Sequence, residues 1–299
     1  MLAPSWPRMP AVVGLLLLLL ALAIMAWLAR MQLRDARLQV GLQARLQARL
    51  DGVQPTRPAA QVDCARLRAA HPLVLLVLGQ SNAGNHGEPT PGGSTAIWMM
   101  DAGVCSISAD PLPGATGAGG SVWTWLPAGL AALGITRPVL IQLLAVDASS
   151  VDDWVRPASP LRQRLLASLA ANATTGMAPD LVLWQQGETD ARIRTPEARY
   201  VAKLKALAQL LTEKGISAPM VLALSTVCRT APAKALRDAV RDLPRQDSHF
   251  RLGPDTDMLN VTLRRDGCHW SQAGRQQAAE LWAAALSGGT ALSDPMRRP

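Results

Sequence analysis

Cysteine and histidine are both scarce in this 299-residue chain, with four of each. They form no CxxC pair and no HExxH run, so a zinc finger or a zinc protease has no ligand set to start from, and no metal or other cofactor is expected. The chain also lacks any run of Lys and Arg interleaved with aromatics, and any RNP-like stretch. A net charge of +8 and a pI near 10.1 therefore do not indicate a nucleic-acid partner. The charge is lopsided as well: seven arginines against two aspartates fall within residues 1–60, which leaves about +3 for the remainder. The GxSxG elbow of α/β-hydrolases is absent, and no internal repeat is evident. What the chain does have is apolar residues, 49% of the total, enough for a sizeable core and too many for a disordered or collagen-like polymer.

Residues 11–29, AVVGLLLLLLALAIMAWLA, carry no charge and are bracketed by Arg8 and Arg30. Nineteen such residues span a bilayer as a helix. A cleaved signal peptide is the rival reading, with Ala21-Leu22-Ala23 as a small-residue site, but the apolar run continues through Trp27 beyond a usual h-region. An uncleaved signal anchor over residues 1–30 is expected. Arg30, Arg34 and Arg37 follow the span and only Arg8 precedes it, so the positive-inside rule alone argues against an exported domain. Leu38, Leu42, Leu46 and Leu50 then recur every four residues as a helical stripe, and Pro55 and Pro58 break it. Residues 31–60 thus read as a helical stalk and linker, residues 61–290 as the main domain and residues 291–299 as a tail.

Within that domain, apolar runs at 73–78, 139–146, 181–184 and 220–227 read as strands buried on both faces. Helical spacing separates or follows them at 160–173, 197–214, 232–243 and 271–286. Alternation of this kind gives an α/β protein with a parallel sheet covered by helices, and in such sheets chemistry collects at the C-terminal ends of the strands.

Three motifs fall at such places. The first strand runs into Gly79-Gln80-Ser81-Asn82, which sets a hydroxyl nucleophile at a strand end. Among the histidines that could serve as its base, His71 precedes the first strand and should lie at the other end of the sheet. His249 sits in a polar stretch, and His86 can line the site but has no carboxylate near it in sequence. His269 has one: Asp266 lies three residues before it in Arg265-Asp266-Gly267-Cys268-His269-Trp270-Ser271, so a tight turn lets Asp266 hold one ring nitrogen while the other faces Ser81. Third, Trp184-Gln185-Gln186-Gly187-Glu188-Thr189-Asp190 turns an apolar strand abruptly polar, with Gln186 as a candidate amide donor to an oxyanion and Glu188 and Asp190 shaping the pocket. Taken singly, each motif also reads as local structure: Ser81 or Ser271 capping a helix, or Gly187 turning the chain after a strand.

In their order and context these motifs resemble the SGNH hydrolases, specifically their sialate O-acetylesterase-like branch, over residues 73–286. The resemblance implies a three-layer α/β/α fold with a parallel, flavodoxin-like central sheet, here preceded by a transmembrane helix. It implies acyl-ester hydrolysis with Ser81 as nucleophile, His269 as base and Asp266 as its orienter. Gln80, Ala148, Ser149, Gln186 and Glu188 would surround the oxyanion and the substrate. One block departs from the pattern. Where these proteins usually carry Gly-Gly, this chain has Asp147-Ala148, which adds a methyl group and a negative charge beside the backbone N–H expected to bind the oxyanion.

Four cysteines allow three pairings. Cys228 follows a strand and Cys268 lies in the candidate catalytic loop, so both approach one sheet edge and are expected to pair, leaving Cys64 with Cys105. Disulfides in turn place the domain in an oxidising space. The expectation is a single-pass inner-membrane protein with a periplasmic or extracellular serine esterase that removes O-acetyl groups from a carbohydrate. Its alternatives are a glycan O-acetyltransferase on the same triad and a catalytically weakened glycan-binding domain.

Overall fold

A computed structural model describes residues 9–91 and 93–288, so the tail expected at 291–299 lies outside the described residues. The uncharged run becomes one helix, α1 (Met9–Leu50), long and apolar enough over its N-terminal part to cross a membrane. The chain divides into two units, one reaching Arg45 and the other beginning at Leu46. In the first, Leu15 to Leu20 and Trp27 are all exposed, as a lipid-facing helix requires.

The second unit is built on a seven-stranded sheet. Its strands are β1 (Leu73–Gly79), β2 (Ile97–Asp101), β3 (Val104–Ser108), β4 (Val139–Ala145), β5 (Leu181–Gln185), β6 (Met220–Leu224) and β7 (Phe250–Asp255). They lie in the order β3-β2-β4-β1-β5-β6-β7, and only β3 is antiparallel to its neighbour. With the β2–β3 hairpin set aside as an addition at one edge, the five remaining strands run second-first-third-fourth-fifth in chain order, the flavodoxin-like arrangement.

Side chains alternate across β1 as the pleat demands. Leu73, Leu75 and Val77 join the core containing Trp123 and Trp282, which come from the segment before α3 (Leu126–Ala132) and from α9 (Gln272–Ser287). Leu76 and Leu78 join the opposite core with Trp154 of α4 (Val151–Val155), Leu165 of α5 (Pro160–Ala173), Leu204 of α7 (Glu197–Glu213) and Val240 of α8 (Lys234–Gln246). Helices on both faces make three layers. The remaining helices are short: α2 (Cys64–Ala69) and α6 (Glu188–Arg192).

Strand register decides which loops come together. Gly79 is level with Ala145 of β4 on one side and Gln185 of β5 on the other. Three strands therefore end together, and the residues after each of them meet at one edge. A Cβ on Gly79 would sit 2.2 Å from the carbonyl oxygen of Gln185, so no other residue fits there without parting β1 from β5.

Two segments differ from the sequence expectation. The strand read at 220–227 stops at Leu224, because the amides of Thr226 and Val227 turn to the carboxylate of Asp257 (2.7 and 2.8 Å). The stretch read as a linker is woven into the second unit: the amide of Gln54 donates to Ala115, and the amide of Gly114 donates to Gln54.

Candidate active site

Beyond Gly79, Gln80 leaves the strand and Ser81–Ala83 form a single 3₁₀ turn, closed by the amide of Gly84 on the Ser81 carbonyl. The indole N–H of Trp123 donates to the Ala83 carbonyl and fixes the turn from the core (2.7 Å). Ser81 is 4% exposed. Its amide and that of Ala148 form no hydrogen bond among the described residues, so both donors remain available to a ligand.

The loop with Asp266 and His269 is a tight turn held by its own aspartate. Asp266 Oδ1 accepts the amides of Cys268 (2.9 Å) and His269 (2.7 Å), and its Oδ2 meets His269 Nδ1 at 2.8 Å. Gly267 takes φ +76, which that turn requires. Burial opposes ionisation of Asp266, but the His269 amide, the imidazole and the Cys268 amide outweigh it and hold the carboxyl well below the usual carboxylate range. Arg229 adds a second grip, from Nη2 to Asp266 Oδ2 (3.3 Å) and from Nε to its carbonyl (3.1 Å).

Two links join this loop to the rest of the edge. The Asn82 side chain, next to Ser81, donates to the carbonyl of Cys268, next to His269 (3.3 Å). Cys268 is bonded to Cys228, four residues past the end of β6, and Cys64 is bonded to Cys105. Ser81 and His269 themselves are not hydrogen-bonded in this structure. In ligand-free sites such contacts commonly close only when substrate binds.

His86 enters the site although nothing near it in sequence marks it as a partner. Its ring stacks on His269, with centroids 5.5 Å apart, and its Nε2 meets Thr116 Oγ1 at 3.0 Å. The same hydroxyl accepts the amide of Asp147 (2.9 Å). Burial lowers the His86 pKa, with Asp147 opposing and His269 and Arg265 adding to the effect. His71 is exposed before β1, and His249 is exposed with its Nδ1 on Asp247.

The residues expected around the oxyanion divide into two groups. Ala148 lies in the turn after β4 at φ +49, the left-handed region that a glycine would take without strain, so the loop keeps its course at a cost of about 1–2 kcal/mol. Gln80, Ser149, Gln186 and Glu188 are instead buried beneath the edge. The two amide hydrogens of Gln186 face Asp190 Oδ2 (2.6 Å), the Ser149 carbonyl (3.0 Å) and Gln80 Oε1 (3.2 Å), while its own oxygen accepts from the Tyr200 hydroxyl. In this structure that amide is engaged by protein acceptors. Its chemistry is that of a brace tying the ends of β1, β4 and β5 together.

Glu188 is a second brace. Its Oε1 accepts from Asn82 (2.7 Å) and Ser225 (2.9 Å), and burial pushes its pKa up from 4.5 to about 7 against those hydrogen bonds. A carboxyl whose pKa is higher folded than unfolded stabilises the fold fully below about pH 4.5 and loses that contribution as pH rises through about 7. At about 1.36 kcal/mol per pKa unit the loss is on the order of 3 kcal/mol. Denaturation at pH 5 and pH 8 should show this drop in the wild type and a much smaller one in Glu188→Gln. Parallel curves for the two proteins would contradict it.

No protein-family model and no curated protein matches the sequence. Solved structures do. A protein from Arabidopsis thaliana superposes with a TM-score of 0.56 at 19% identity, covering 72% of this chain and 98% of its own. The likeness is one of fold. Looser matches include a family 3 carbohydrate esterase from Clostridium thermocellum, with a TM-score of 0.49 at 12% identity over 72% of this chain and 96% of that one. A mutant of an acetyl-xylooligosaccharide esterase from Geobacillus gives 0.47 at 14% identity over 71% and 93%.

Proposed function

We propose that the protein is a serine esterase of SGNH type, in the sialate O-acetylesterase-like branch, that removes O-acetyl groups from a carbohydrate. One observation carries this reading: an imidazole oriented by Asp266 lies on a loop tied through Asn82 and Cys268 to the turn that bears Ser81. Asp266 fixes Nδ1 and leaves Nε2 to take the Ser81 proton. Ser81 Oγ then bonds to the ester carbonyl carbon, and the amides of Ser81 and Ala148 stabilise the oxyanion. The sugar oxygen leaves with the proton from His269. Water, deprotonated by the same imidazole, attacks the acetyl-enzyme and releases acetate and free Ser81. A sugar hydroxyl taking the place of that water would make the protein a transferase.

The test is acetate release by the full-length chain in detergent from acetylated wall and surface glycans, with and without glycan acceptors. Release that depends on Ser81 supports the esterase, transfer to the acceptor supports the transferase, and glycan binding without turnover leaves a binding domain.

Localisation is proposed with the same reading: a single-pass inner-membrane protein with its domain periplasmic or extracellular. The apolar helix and two formed disulfides support it. A reporter active only in the cytoplasm, fused after Leu286, is expected to be silent. Activity there would show that the arginines after the span set the orientation instead.

A further inference from the structure

Asp147 is an awkward neighbour for an oxyanion site. Its carboxylate belongs to the residue before Ala148, and a fixed negative charge there opposes the charge that develops on the substrate oxygen. The structure places a cation on it. Arg49, in the last turn of α1, brings Nε to 3.9 Å from Asp147 Oδ2, and its Nη1 donates to the Ala148 carbonyl at 3.2 Å. One guanidinium thus meets both the charge and the backbone of the left-handed turn.

The ground beneath Arg49 is part of the same unit. Leu46, one turn earlier, is 2% exposed and belongs to the buried cluster that contains Val146 and Val151, on either side of the turn. Val53 pairs with Thr116, whose hydroxyl meets both the Asp147 amide and His86. Gln54 completes the seat by donating to the carbonyl of Gly117 (3.0 Å).

We infer that Arg49 is a positioning residue of the esterase site: its bond to the Ala148 carbonyl seats the guanidinium against Asp147, whose charge it neutralises beside the amide that would bind the oxyanion. The inference rests on the esterase reading and deepens it, since it makes the end of α1 a working part of the site. Both side chains are about one-third exposed, 35% and 34%. A pair so exposed adds little to stability, so its loss should show in turnover and not in unfolding.

The experiment compares wild type, R49Q, R49K, D147N and R49Q/D147N as full-length protein in detergent. R49Q is expected to lower kcat about tenfold, with KM within about twofold and an almost unchanged melting temperature. R49K, which keeps the charge but not the fork, should recover part of the loss. The double variant should turn over within about threefold of D147N alone, because no charge is left to neutralise. An independent reading comes from NMR titration of His86, which faces Asp147, His269, Arg265 and the Thr116 hydroxyl. R49Q should move that titration to higher pH by leaving Asp147 uncompensated, and D147N should cancel the shift. An unchanged kcat in R49Q, or a loss that D147N does not relieve, overturns the inference. A wild type without Ser81-dependent turnover defeats the esterase reading instead, and an unmoved His86 titration in R49Q then defeats this one separately.

Discussion

Ser81→Ala is expected to reduce acetate release by a factor on the order of 10³ or more while the domain stays folded, and His269→Ala is expected to do the same. In the proposed mechanism Ser81, His269 and Asp266 act in one proton transfer, so a variant lacking two of them should be hardly slower than one lacking either. Asp266→Asn makes the sharper test. Asp266 Oδ1 accepts two backbone amides, and an asparagine keeps them only by placing its oxygen there. Its NH₂ then faces His269 Nδ1 where Oδ2 was, which drives the ring proton onto Nε2. An imidazole in that tautomer cannot take the proton of Ser81, so turnover should fall about as far as in His269→Ala, with folding intact. The measurement is kcat for the single and double variants beside their unfolding curves. Losses that multiply instead of saturating would mean the residues act independently.

The second large effect is expected from the Cys228–Cys268 bridge. Cys268 is buried between Asp266 and His269, its carbonyl accepts from Asn82 and from Arg264 (2.8 Å), and its sulfur is tied to the segment after β6. Replacing both cysteines with serine frees that anchor. Displacement of the imidazole by about 1 Å is enough to cost on the order of a hundredfold in rate. The other bridge supplies the control. Cys64–Cys105 joins α2 to the edge strand β3 and closes a chain segment of nearly the same length, 41 residues against 40. Loss of either bridge should cost roughly 2–4 kcal/mol of stability. Only loss of the first should cost turnover when both variants are assayed folded. Equal kcat values for the two variants would show that the loop of Asp266 and His269 is held without the bridge, by packing around Trp270 and by its hydrogen bonds from Asn82, Arg229 and Arg264.

How much of the molecule is legible in its sequence depends on how local each feature is. Strands β1 and β5 are continuous apolar runs, β4 is one broken only by Gln142, and each is followed by polar residues, so they read directly. Strand β7, FRLGPD, contains Gly253 and Pro254, and β2 and β3 form a hairpin added at the edge of the sheet. Strands β7 and β3 lack the uninterrupted apolar pattern, and the short apolar run of β2, Ile97 to Met100, ends in two methionines, which carry no strand preference, so none of the three emerges from the sequence. The pairing of Asp266 with His269 is readable because a spacing of three allows one turn to hold both. For Gln186 a sequence shows an amide at a strand end but not the hydrogen bonds to Asp190 and from Tyr200 that engage it. His86 reads as a residue that can line the site but not as the partner of His269, on which it stacks 183 positions later, and Arg49, which donates to a residue 99 positions away, cannot be found by spacing at all. One consequence of the fold is marked correctly, for Ala148 stands where a glycine would be at ease and takes the left-handed φ regardless.

Every step of the proposed mechanism depends on Ser81 as the nucleophile. Treating the folded full-length protein with a fluorophosphonate and mapping its peptides by mass spectrometry tests that most directly. One adduct is predicted, on the peptide carrying Ser81, slowed by acetylated glycan and absent from Ser81→Ala. An enzyme that releases acetate while Ser81 stays unmodified, or that carries the adduct on another serine, would contradict it.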